Sequence, residues 1–135
     1  MSRITTQDIL TSQGKYTARA YHPECTEQVQ ENAGELARRV NALLEDFFKV
    51  WLSSGFRTST ANAGTPGAST RSAHMEAMAL DLMTLGHYLK EDWKINRDRS
   101  LLVKHDLYLE DPDFTPRWTH LQTRPTKSGL RVFKP

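Results

Sequence analysis

Cysteine is nearly absent: Cys25 is the only one in 135 residues, so no intramolecular disulfide can form. A fold that does without disulfides suits a reducing compartment. Long apolar runs are missing as well. No window approaches the roughly 18 apolar residues of a membrane span, and the first thirty residues hold no apolar leader core. Cytoplasmic synthesis without a signal peptide is the expectation, any extracellular target being reached after release or delivery. Charge of one sign is scarce too. Eighteen Lys and Arg against sixteen Asp and Glu leave a net charge of +2, with no basic run of five or more, which argues against a nucleic-acid partner. Internal repeats and low-complexity segments are not evident, and 135 residues suit a single domain with one core.

What is present reads as an α+β pattern. Residues 1–25 form a polar N-terminal segment broken by Gly14 and Pro23, with Ile4, Ile9 and Leu10 as packing candidates, and a single domain is expected over 26–135. Val29, Ala33, Leu36, Val40, Leu43, Leu44 and Phe47 recur at three- and four-residue steps, predicting a helix over 27–47 with Thr26 as N-cap. A short strand follows over 48–54. A Thr/Ser/Asn/Gly/Pro-rich loop then runs to Ser72, long enough to suggest a binding loop. Met78–Met83 reads as a central strand and 84–94 as a helix containing His87 and Trp93. Residues 95–100 should be solvated, 101–109 are ambiguous between strand and helix, and 111–116 form a Pro-bounded turn. Residues 117–123 and 130–133 suggest an antiparallel hairpin. The expected architecture is a small antiparallel sheet packed with two or three helices.

The stretch Ser72-Ala-His-Met-Glu-Ala-Met-Ala-Leu-Asp81 holds an imidazole and a carboxylate seven residues apart, and Trp118-Thr119-His120 offers a second imidazole that could complete a metal site. Zinc that does chemistry keeps three nitrogen or oxygen ligands and leaves a position for water. Residues upstream extend the pattern. Ser54-Gly-Phe-Arg57, Asn62, Gly64, Gly67-Ala68, Ser72-x-His74 and Ala79-x-Asp81 resemble the signature of a zinc peptidase family. That family comprises the D-Ala-D-Ala carboxypeptidases and dipeptidases and the L-alanyl-D-glutamate endopeptidases, phage endolysins among them. The resemblance spans about residues 26–123. It implies Zn2+ ligands at His74, Asp81 and His120 on a sheet face, with Arg57 and Ser72 toward a peptidoglycan peptide.

Two positions depart from the family pattern. The Gly three residues after the first ligand is Ala77, and the acidic general base three residues before the last His is Arg117. A guanidinium cannot accept a proton. Other carboxylates are therefore candidates for the base: Asp113 first, because its Pro-bounded turn could fold back over a metal, then Asp111, Glu110 and Glu76. The leading expectation is a metallopeptidase cleaving peptidoglycan stem peptides. A non-catalytic phage structural or wall-binding module that keeps the fold is the alternative, and a zinc hydrolase of some other amide is a third.

Overall fold

The computed structural model describes residues 4–12, 22–46, 50–84, 95–97 and 99–135. The helix expected over 84–94, with His87 and Trp93, falls outside them apart from Thr84, which ends a strand.

A helical stripe seats the first layer. Helix α2, Glu27–Leu43, begins where the Thr26 hydroxyl accepts from the Val29 amide at 3.2 Å, and it buries Val29, Ala33, Leu36, Ala37, Val40 and Leu43. A 3-10 turn, Leu44–Asp46, ends it sooner than the 27–47 periodicity suggests. Before it lies a short helix not expected from the sequence, α1, Thr6–Leu10. Thr5 and Asp8 cap it reciprocally, and Ile9 and Leu10 sink into the core.

The strands are β1 (Val50–Ser54), β2 (Ala79–Thr84), β3 (Tyr108–Glu110), β4 (Thr119–Gln122) and β5 (Val132–Phe133), in the sheet order β1-β2-β4-β3-β5. All neighbouring pairs are antiparallel except β3 with β5. The fold is thus α+β, with a mostly antiparallel sheet. Strand alternation then divides the sheet into two chemically different faces. Leu80, Leu82, Leu109 and Leu121 join the core with Leu36, Val40 and Phe56. Asp81, Glu110, His120 and Gln122 occupy the alternate positions on the other face.

Two expectations need correction, and one ambiguity is resolved. The proposed hairpin of 117–123 with 130–133 does not form, because β3 lies between those strands and pairs with both. Leu109, fully buried, takes the inner position, and the half-buried Val132 and Phe133 suit an edge. The ambiguous 101–109 stretch is both structures in turn: helix α4, Ser100–His105, then β3, joined through Asp106 in the left-handed region. Within the supposedly solvated 95–100 stretch, Ile95 is buried in the core.

The long loop before Ser72 is also more ordered than its composition suggests. Helix α3, Ser59–Ala63, is capped by Thr58, while the Glu24 carboxylate accepts from both the Ser59 amide and hydroxyl, at 2.5 and 2.6 Å. Asn62 donates to the Ser69 carbonyl and closes the following turns.

Candidate metal centre

Antiparallel register sets Asp81 of β2 directly opposite His120 of β4. Facing residues of such a pair have Cβ atoms about 5 Å apart, so the two side chains meet on the polar face of the sheet. His74 arrives from a 3-10 turn, Ala73–Glu76, that precedes β2. Its carbonyl accepts from the Arg57 amide at 3.0 Å, and the Asn32 side chain of α2 donates to the Glu76 carbonyl at 3.0 Å. One ligand-type atom from each of His74, Asp81 and His120 lies within 4.8 Å of the others, and all three residues are buried.

The surrounding hydrogen bonds decide which ring nitrogens face inward. His74 Nδ1 stands 2.7 Å from the Gly55 carbonyl, which can only accept, so Nδ1 carries the hydrogen and Nε2 is left toward Asp81 Oδ2 at 3.4 Å. For His120 the argument runs one step further. The Gln122 amide nitrogen donates to the Arg124 carbonyl at 2.8 Å, which turns its oxygen toward His120 Nε2 at 2.9 Å. His120 Nε2 must therefore be the donor, and Nδ1 faces Asp81 Oδ1 at 3.0 Å. A bare ring nitrogen and a carboxylate oxygen at that distance repel unless a positive charge, a proton or a metal, joins them.

Without a metal the cluster meets this demand with protons. Burial opposes ionisation of Asp81, yet the two imidazoles against it, His120 above all, outweigh that and hold the carboxyl far below the usual carboxylate range. Burial likewise opposes the charged form of His120, but Asp81 overcomes it and raises the imidazole above its ordinary value. At His74 burial prevails and lowers it. A zinc ion suits the same donors. The inner nitrogens stand 3.4 Å from Asp81 Oδ2 and 3.0 Å from Asp81 Oδ1, and one ligand-type atom from each residue lies within 4.8 Å of the others, near enough for one ion to join them. Two neutral imidazoles with their outer N–H groups anchored, plus a carboxylate, form a donor set that zinc accepts.

Arg57 borders the cluster. A register shift in β1 between Leu52 and Ser54 aligns Ser54 with Asp81, and the buried Arg57 donates to Ser54 Oγ at 3.3 Å while its Nη2 lies 3.5 Å from Asp81 Oδ2. Ser72 caps the 3-10 turn, its hydroxyl accepting from the His74 amide at 3.2 Å. Ala77, the departure from glycine, adopts φ 55° and ψ 33°, in the left-handed region.

The carboxylates considered for the base lie in different surroundings. Asp113 is exposed, its amide donating to Asp111 Oδ1 at 3.0 Å. Glu76 is paired with Arg124 at 2.8 Å, and Arg117 is exposed in the turn before β4. Glu110 is half-buried on β3, where burial raises its carboxyl above the ordinary value and His120 and Asp81 both act on its charge. Gln122 and the Gly55 carbonyl were not singled out from the sequence. Gln122 shares strand parity with His120, a signal that points to it only once the strand is known.

No curated protein and no solved structure matches the chain. A family model, Peptidase M15, matches residues 2–104, a stretch that contains Arg57, His74 and Asp81 and stops before His120. That match spans most of the chain, and the buried His-Asp-His cluster is compatible with it: the protein belongs to the peptidase M15 family of zinc peptidases.

Proposed function

We infer that the protein is a zinc-dependent peptidase acting on peptidoglycan stem peptides, at a bond involving a D-amino acid or at L-Ala-D-Glu. The observation that carries this reading is the inward arrangement of His74 Nε2, Asp81 and His120 Nδ1, which calls for a cation, in a chain of the peptidase M15 family. These three residues would hold the metal. Bound zinc would supply Lewis acidity, polarising the scissile carbonyl and making water more acidic.

The chain's own residues supply the rest. Gly55 and Gln122 keep the two imidazoles in the tautomers that leave the inner nitrogens free. Arg57 brings a fixed positive fork to the rim, suited to a substrate carboxylate or to the charge that develops on the carbonyl oxygen. Ser72 holds the turn carrying His74, and its hydroxyl would be available to a bound peptide beside that turn. Among the described residues no helix is long and apolar enough to cross a membrane.

Incubating zinc-loaded protein with purified peptidoglycan, followed by mass analysis of what is released, tests the activity and identifies the bond. Metal analysis of His74→Ala and His120→Ala tests the ligands: each variant should lose bound zinc, and full metal content in both would sink the assignment.

A further inference from the structure

We propose that Glu110, on the strand next to His120, is the general base that the Arg117 position cannot supply. This assignment rests on the peptidase reading above. In the β3–β4 register Tyr108 faces Gln122 and Leu109 faces Leu121, and one further antiparallel step sets Glu110 opposite His120. Leu109 and Leu121 point into the core, so Glu110 and His120 project together from the other face, beside Asp81. On its far side Glu110 is aligned with Phe133 of β5. The Phe133 ring reaches back to stand 6.0 Å from the His120 ring, walling this end of the site with apolar surface.

The other carboxylates do not combine these properties. Asp81 is engaged by both imidazoles, Glu76 is paired with Arg124, and Asp111 and Asp113 belong to the turn beyond β3. The Glu110 side chain has no hydrogen-bond or ion-pair partner among the described residues and is half-buried beside His120, which leaves its carboxylate free to meet a water at the site.

In the step assigned to it, Glu110 takes a proton from the attacking water as the water oxygen bonds to the peptide carbonyl carbon. The same proton then passes to the amide nitrogen as the C–N bond breaks, giving a carboxylate and an amine, with the Glu110 carboxylate restored. No redox partner is needed.

Glu110→Gln keeps size and hydrogen bonding but cannot carry the proton. Zinc content by elemental analysis and zinc affinity by competition with a chromophoric chelator should stay within threefold of wild type, because Glu110 is not a ligand. Release of peptide fragments from peptidoglycan should fall at least about a hundredfold. Asp113→Asn should cleave at the wild-type rate. A Glu110→Gln variant that cleaves as fast as wild type overturns the assignment alone, and so does one that loses its zinc, since that would make Glu110 part of the metal site. A zinc-loaded wild type that releases no fragment overturns the peptidase reading and this assignment with it.

Discussion

Arg57, Gln122 and Glu110 are polar groups placed beside the candidate metal centre, and each leaves a different measurable trace. Lysine at position 57 would keep the charge near Asp81 but lose the planar fork. Arg57→Lys should therefore reduce turnover by about two orders of magnitude, the scale of losing one oxyanion donor, while the melting temperature moves by no more than about 4 °C. Gln122→Leu removes the acceptor that fixes the His120 tautomer, and zinc affinity should drop roughly 10- to 100-fold in a chelator competition. For Glu110 the pH dependence has a definite sign. Its folded carboxyl is raised by burial above the unfolded value of 4.5, so the protonated form is favoured by folding. The stability it contributes is full below the unfolded value and is lost as pH rises through the folded one. In metal-free protein, Glu110→Gln should gain in melting temperature relative to wild type at pH 7 more than at pH 4; an equal difference at both would contradict the burial argument.

At the scale of elements, two turns carry the site, and each depends on one small residue. A Cβ at Gly55 would lie 2.6 Å from the Ile9 carbonyl oxygen and 3.0 Å from Ile9 Cα, both main-chain atoms of α1. The Phe56 amide also donates to that same carbonyl at 2.9 Å, so β1 and α1 cannot separate cheaply. Gly55→Ala should cost about 2 kcal/mol by urea unfolding. Because the Gly55 carbonyl anchors His74, zinc affinity should weaken in the same variant. Ala77 presents the opposite balance. Glycine would relieve about 1 kcal/mol of left-handed strain. It would also forfeit a buried methyl worth about 0.8 kcal/mol and widen the unfolded ensemble by about 0.4–1 kcal/mol. Ala77→Gly should thus be no more stable than wild type, and a clear gain in the urea midpoint would show that the strain had been undervalued.

For the molecule as a whole, the metal should act as a folding ligand, because the three proposed ligands come from a turn and two strands far apart in the chain. At free zinc one hundred times Kd the folded state gains about 2.7 kcal/mol. Thermal scans should rise by several degrees on adding zinc to chelator-stripped wild type, and His120→Ala should show no rise. The core that bears this load is shared between the two halves of the chain: Ile9 and Leu10 of α1 lie in the same cluster as Leu36, Leu80, Leu109 and Leu121. Removing α1 should lower stability and weaken zinc binding together, through the lost Ile9 contacts behind Gly55.

Some of this could be read from local pattern. The stripe from Val29 to Leu43 marked α2 and Thr26 its cap, because helix spacing and capping involve residues within a few positions of each other. The short apolar run over 78–83 marked a central strand, and the spacing of Arg57, His74 and Asp81 carried the family likeness. The reciprocal cap of Thr5 and Asp8 is equally local, yet α1 was not expected, because its polar surroundings masked so short a helix. Strand order was different in kind. Turn chemistry favoured pairing 117–123 with 130–133, but burial of Leu109 beside Leu121 put β3 between them, a competition among long-range contacts that no short window contains. The same insertion brings Glu110 to His120 while the turn that holds Asp113 stays at the surface. Composition and spacing thus determined the chemistry available to this chain. The tertiary register decided which carboxylate stands beside the candidate metal centre, because side chains distant in sequence meet only where strand pairing and core packing place them on one face.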